Sequence, residues 1–142
     1  VSADKTIAEI ERMLAVHKAL RIMKSYDGGR VVALMFSIST KHGELPIKLP
    51  CNVDAVYALL TKGRKRYTPS LDKGRHEQAA RVAWRILKDW VEAQLTLFAI
   101  DMVKIEELFL PYIYDARREQ TMFQIIEKHG FLKALPGGRD ER

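Results

Sequence analysis

Ten side chains in one part of the chain have the types and spacing to bind phosphate groups. Residues 62–75 hold six Lys or Arg side chains against a single acid, Asp72. Cations of this kind neutralise phosphates and release condensed counterions, which drives nucleic-acid binding without base recognition. Tyr67 adds a flat ring that can stack on an unpaired base. The candidate contacts are Lys62, Arg64, Lys65, Arg66, Tyr67, Lys73, Arg75, Arg81, Arg85 and Lys88.

The segment 62–75 has a second interpretation as a solvated connector between two helices. Gly63 and Gly74 near its ends and Pro69 in its middle are typical of a mobile loop. Such a loop closes on a ligand or simply stays in water, and composition carries no information about base recognition. Both interpretations predict that the residues from 62 to about 76 precede the next helix.

A stripe of cations follows the segment. Arg81, Arg85 and Lys88 recur at the i, i+4, i+7 spacing that places them on one helix face. Asp89 and Glu92 fall in the same arc, so the pairs Arg85–Asp89 and Lys88–Glu92 are the alternative to phosphate contact. On the predicted strands, Arg21, Lys24 and Arg30 extend the basic face if they share one side of the sheet.

Catalytic patterns are weak. Asp101, Glu106 and Glu107 are close enough in sequence to suggest a Mg²⁺ site, but an acidic helix end is the commoner reason for such a cluster. His76-Glu77 has no second histidine at the spacing of a zinc-protease helix. Glu44 and Lys48 lie on one predicted strand without the upstream aspartate of a nuclease site. We therefore predict no catalytic residues, no metal and no cofactor.

Cysteine and histidine usage also argue against a disulfide framework and a metal site. The single Cys51 excludes an internal disulfide framework, favours a reducing compartment, and is expected to be a small buried residue rather than a reactive thiol. No apolar run reaches membrane-spanning length and the N-terminus lacks the apolar core of a signal peptide, so the sequence predicts a cytoplasmic protein. The four histidines are scattered singly, at His17, His42, His76 and His129.

The excess of positive over negative charge comes from the first half of the chain. The 142 residues carry a net charge of +6. Residues 1–76 hold 14 Lys/Arg and 7 Asp/Glu, whereas residues 77–142 hold 10 and 11. This asymmetry favours an anionic partner for the first half. Length and composition predict one domain over residues 1–134, followed by a flexible tail at 135–142.

The first half is expected to contain one helix and three strands. Thr6 and Glu9 fit a capping box, which predicts a helix from Thr6 to about His17. Asp27-Gly28-Gly29 is a strong hairpin signal between two candidate strands. Pro46 and Pro50 in the third strand predict that it lies at a sheet edge or ends early. The three strands are 20–26, 30–39 and 44–50.

The remainder is expected to be helical. Asn52 caps one helix, and a helix of about 25 residues begins near Glu77, with an apolar surface broad enough to form the spine of the core. Two shorter helices follow, one broken before Pro111 and one ended by Gly130. The predicted fold is α+β, with a three-stranded antiparallel β-meander after an N-terminal helix, packed on a helical bundle with one long central helix.

Four segments resemble a family of small uncharacterised proteins of bacteriophages and prophages, and the resemblance runs from Thr6 to about Ile113. The resemblance implies a bacterial cell that carries a phage or mobile element; small basic proteins there commonly serve DNA replication, recombination or packaging, or block host defence. It implies no catalytic residues. The segments are "TIAEIERML", "HGELPIKLP", "AWRILKDWVEAQLTLF" and "FLPYI".

The function that these patterns favour is non-enzymatic binding of DNA or RNA through the phosphate backbone. The alternative is a protein–protein interaction module, for example a phage inhibitor of a host nucleic-acid-directed defence nuclease. In that case the basic segment occupies an acidic or guide-RNA-lined surface. The sequence does not distinguish DNA from RNA or single from double strands as the partner, and it does not give the oligomeric state.

Overall fold

The computed structural model describes residues 1–63 and 68–138. These residues form an α+β fold in which an N-terminal helix precedes a three-stranded antiparallel meander and one long helix runs through the core, as predicted. The helices are α1 (Ala3–Val16), α2 (Val53–Thr61), α3 (Pro69–Ala99), α4 (Ile105–Phe109) and α5 (Met122–His129), and the strands are β1 (Arg21–Asp27), β2 (Arg30–Thr40), β3 (Gly43–Lys48), β4 (Tyr114–Asp115) and β5 (Gln120–Thr121).

The meander forms around a two-residue turn. Gly28 and Gly29 have φ values of 59° and 81°, which glycine adopts without steric cost, and Asp27 pairs with Arg30 across the turn. The strand order is β1-β2-β3, so β3 lies at an edge, where Pro46 removes a hydrogen-bond donor without interrupting a central ladder. Both the hairpin turn and the edge position are confirmed.

The core lies between one face of the sheet and the helices. Helix α3 packs against α1 and α2 and contributes Trp84, Val91 and Leu95, all almost fully buried. Phe109, at the end of α4, is fully buried and meets Phe36 of β2 edge-on, with ring centroids 5.3 Å apart. The broad apolar surface of the long helix therefore does form the spine of the core. None of the helices within the described ranges is long and apolar enough to cross a membrane.

Helix α1 begins three residues earlier than the capping box predicted. Ser2 is the N-cap, and its hydroxyl accepts a hydrogen bond from the Lys5 amide at 3.2 Å. Thr6 is buried inside the helix and donates its hydroxyl proton to the Ser2 carbonyl at 3.3 Å. The capping-box prediction was wrong because Ser2 offers an equally good cap one turn upstream.

Helix α3 begins eight residues before the predicted start and has 31 residues instead of about 25. Thr68 is its N-cap and accepts from the Leu71 amide at 3.2 Å, and Pro69 occupies the first helical position, where a missing N–H costs nothing. Gly74 lies inside the helix, since one glycine costs only about 1 kcal/mol there. The expectation of a loop up to residue 76 was therefore wrong, and Lys73 and Arg75 are helical.

The C-terminal part holds a feature that the sequence did not indicate. Strands β4 and β5 form a two-stranded ribbon, and they are too short to show an alternating pattern. Thr121 and Gln124 then form a capping box for α5, which ends at Gly130 with φ 108°. Residues 139–142 of the predicted tail lie outside the described residues.

Candidate nucleic-acid interface

The first part of the basic segment, residues 62–68, joins two helices that pack against each other, and the rest of it is the start of α3. Lys62 is the C-cap of α2 and is exposed, and Thr68 caps α3. Lys73 and Arg75 lie in the first two turns of α3, where Lys73 is exposed and Arg75 is half-buried. Four of the predicted contacts, Arg64, Lys65, Arg66 and Tyr67, lie outside the described residues.

The only acid of residues 62–75 is bound at the interface between these helices. The Tyr57 hydroxyl of α2 donates a hydrogen bond to Asp72 Oδ1, and His76 Nε2 lies 3.5 Å from Asp72 Oδ2. The Tyr57 and His76 rings stack with their centroids 3.8 Å apart and their planes within 3°. Both carboxylate oxygens of Asp72 are thus engaged, and its side chain is 24% exposed. The carboxylate is thus engaged by one side chain of α2 and one of α3.

Three cations remain exposed at the end of α2 and along α3, and together they are called the basic surface below. Lys62, Lys73 and Arg81 have no ion-pair partner among residues 1–63 and 68–138. Lys73 lies close to the N-terminus of the longest helix, where the helix dipole adds positive potential. The Leu71 and Asp72 amides at this end donate to Thr68, and the Asp72 carboxylate offsets part of the dipole.

Arg81, at one end of the basic surface, lies next to the sheet. It lines a cavity of about 290 Å³ between the start of α1, the β1–β2 turn and α3. Arg30, next to that turn and exposed, lines the same cavity, as do the acids Asp4 and Glu77. Arg30 thus extends the basic surface past Arg81, although two carboxylates in the cavity reduce the net charge there.

The rest of the predicted stripe on α3 is engaged in ion pairs. Arg85 Nε lies 3.7 Å from Asp89 Oδ1. Lys88 Nζ lies 3.4 Å from Glu9 Oε2 of α1 and 3.8 Å from Glu92 Oε2, and its side chain is only 17% exposed. Both pairs that the sequence offered as alternatives are present, and the spacing alone gave no sign that Glu9 also meets Lys88. Arg81 is the member of the stripe that stays exposed without a partner in the described ranges.

The basic residues of β1 are also paired. Arg21 Nε lies 3.0 Å from Glu44 Oε1, which also accepts the Ser37 hydroxyl proton at 2.7 Å. Lys24 Nζ lies 3.1 Å from Glu11 Oε1 of α1, and this contact raises the pKa of Lys24. Since Arg21 faces Glu44 and Lys24 faces α1, the two do not share one side of the sheet and do not form a basic platform.

The acidic residues considered for a metal site lie between the end of α3 and the first turn of α4. Glu107 accepts a hydrogen bond from the Lys104 amide at 3.2 Å at the start of α4, and Asp101 lies between α3 and α4 with φ 57°. In the part of the chain that the structure describes, no group of three His, Cys, Asp or Glu side chains is arranged to hold a metal ion.

Cys51 lies in an apolar environment. It lines a cavity of about 320 Å³ with Trp90 and Tyr112. Burial raises the pKa of the Cys51 thiol to about 12, because the thiolate loses hydration there. We expect alkylation of Cys51 by iodoacetamide at pH 8 to be at least about tenfold slower than that of the urea-unfolded chain, because the thiolate is the nucleophile. Mass spectrometry of both reactions measures this, and equal rates would contradict the burial.

Tyr57 and His76 are the residues of this region that the sequence did not single out for binding. Asp72 and His76 have the i, i+4 spacing of a helical pair, but this spacing became meaningful only with a helix that begins at Pro69. Tyr57 reaches them from another helix, so no sequence pattern links it to Asp72. No family model matches the chain, and no curated protein or solved structure matches it either.

Proposed function

We propose that this protein binds nucleic acid through the phosphate backbone and catalyses no reaction. The observation that carries the proposal is the separation of charge around residues 62–75: Asp72 is held against α2, while Lys62 and Lys73 stay exposed. Arg81 continues the surface along α3. Arg64, Lys65 and Arg66 add three positive charges by sequence.

Binding of this type depends on the number of phosphates neutralised. Each Lys or Arg that contacts a phosphate releases counterions, so the affinity falls steeply as salt is added. Contacts to phosphate fix the position of the protein on the nucleic acid but carry no sequence information. The proposal is therefore salt-dependent binding with little sequence preference.

A double substitution tests whether the surface on α3 carries the affinity. We expect Lys73→Ala with Arg81→Ala to lower the affinity about 10- to 60-fold at 0.1 M salt and to reduce the salt slope by about two, because two phosphate contacts are lost. The matched control is Lys41→Ala with Arg117→Ala, which removes the same two residue types from exposed turns elsewhere. Fluorescence polarisation with a labelled oligonucleotide measures both. Equal losses in the two variants would show that only net charge matters and would overturn the assignment of this surface.

A further inference from the structure

A cluster of three side chains, Tyr57, Asp72 and His76, connects the two ends of the basic segment. Tyr57 is in the last turn of α2, where its carbonyl accepts the Thr61 hydroxyl proton at 2.9 Å. Asp72 is in the first turn of α3, where its amide donates to the Thr68 carbonyl at 2.9 Å. The cluster therefore joins α2 and α3 within about one turn of the residues where each helix meets the segment.

The contacts within the cluster are of the stronger kinds. A hydrogen bond to an ionised carboxylate is roughly twice as strong as one between neutral groups, and Asp72 accepts one from Tyr57. The parallel stacking of the Tyr57 and His76 rings adds contact area on the same side of α3. The three side chains are half-buried, which reduces but does not remove the competition of water for these contacts.

We propose that Tyr57, Asp72 and His76 are positioning residues for nucleic-acid binding, an inference that rests on the function proposed above. They hold the end of α2 and the start of α3 in one arrangement, so that Lys62 and Lys73 are presented together. Binding then costs less ordering of the protein, and preorganisation of this kind appears as affinity. The acid at the centre of a basic surface thus strengthens anion binding instead of opposing it.

Asp72→Asn separates positioning from simple charge, because the two predict opposite signs. The substitution makes the protein more positive by one charge, so charge alone predicts tighter binding. Loss of the cluster predicts a Kd raised about three- to tenfold instead, since part of the ordering of α2 against α3 must then occur on binding. The control is Asp89→Asn, which removes an acid from the same helix and frees Arg85. This variant should bind as tightly as wild type or more tightly.

Thermal melts of every variant show whether it folds. If Asp72→Asn does not fold, Tyr57→Phe and His76→Gln still test the proposal. We expect Tyr57→Phe to weaken binding two- to threefold, by about half of a typical hydrogen bond. His76→Gln removes the ring stacked on Tyr57 and should also weaken binding about two- to threefold, whereas His42→Gln, in the exposed β2–β3 turn, should bind like wild type.

The outcomes distinguish this inference from the proposed function. If wild type does not bind a labelled oligonucleotide at low salt, the proposed function fails and the positioning role fails with it. If wild type binds, and Asp72→Asn, Tyr57→Phe and His76→Gln all bind as tightly as wild type, only the positioning role is overturned. In that case the cluster merely stabilises the fold.

Discussion

Replacement of Arg64, Lys65 and Arg66 together by alanine is expected to lower the affinity for nucleic acid by about two to three orders of magnitude at 0.1 M salt. The three cations are consecutive in sequence, and they lie between Lys62 and Lys73, which are both exposed. If each contacts one phosphate, the slope of log K against log salt for duplex DNA falls by about 2.7. Polarisation titrations at several salt concentrations measure both quantities.

The control for this prediction removes equal charge from other exposed positions. Arg12→Ala, Lys41→Ala and Arg117→Ala together also delete two arginines and one lysine. We expect this variant to keep most of the affinity, because its substitutions lie on α1 and in two turns away from the basic segment. If it loses as much affinity as the first variant, binding follows net charge and the basic segment has no special role.

Phe109→Ala is expected to lower the free energy of unfolding by about 3–5 kcal/mol, because a large buried ring is replaced by a cavity. Phe109 is fully buried and its ring meets those of Phe36, at 5.3 Å, and Trp90, at 6.0 Å. These contacts join α4, the sheet and α3. Urea denaturation followed by circular dichroism gives the free energy and its midpoint.

Phe123→Ala provides the matched comparison for this stability prediction. Its side chain is 44% exposed on α5, where it contacts Phe131. We expect the free energy of unfolding to fall by less than about 1.5 kcal/mol, because the Phe123 ring buries less apolar surface than the Phe109 ring. If the two substitutions have equal effects, Phe109 is not at the centre of the core as described.

The fold was largely predictable because its main signals are local. Asp27-Gly28-Gly29 determines the hairpin through backbone conformation alone, and Asn52 caps α2 with its own side chain, which accepts from the Ala55 amide at 3.0 Å. The start of α3 was misplaced because Pro69 and Gly74 usually interrupt helices. A proline at the first helical position and a glycine in a long, well-packed helix are both tolerated.

The candidate interface was less predictable because its arrangement depends on contacts between distant residues. The basic segment is visible in the sequence, but the orientation of Asp72 depends on Tyr57, fifteen residues away on another helix. Lys88 is similar: its spacing matches Arg81, yet Glu9 of α1 neutralises it. Periodicity places side chains on a helix face but does not show which of them a neighbouring helix covers.

The most direct test of the central claim is a salt titration of wild-type binding to single-stranded DNA, duplex DNA and RNA by fluorescence polarisation. The claim predicts binding at about 50 mM salt and a linear fall of log K with log salt. The magnitude of the slope should be about 5.4 for duplex DNA and about 4.2 for single strands if Lys62, Lys73, Arg81 and the three cations at 64–66 each contact one phosphate. Absence of binding to every oligonucleotide at that salt, or an affinity that does not change with salt, would contradict the claim and favour the protein–protein interaction module instead.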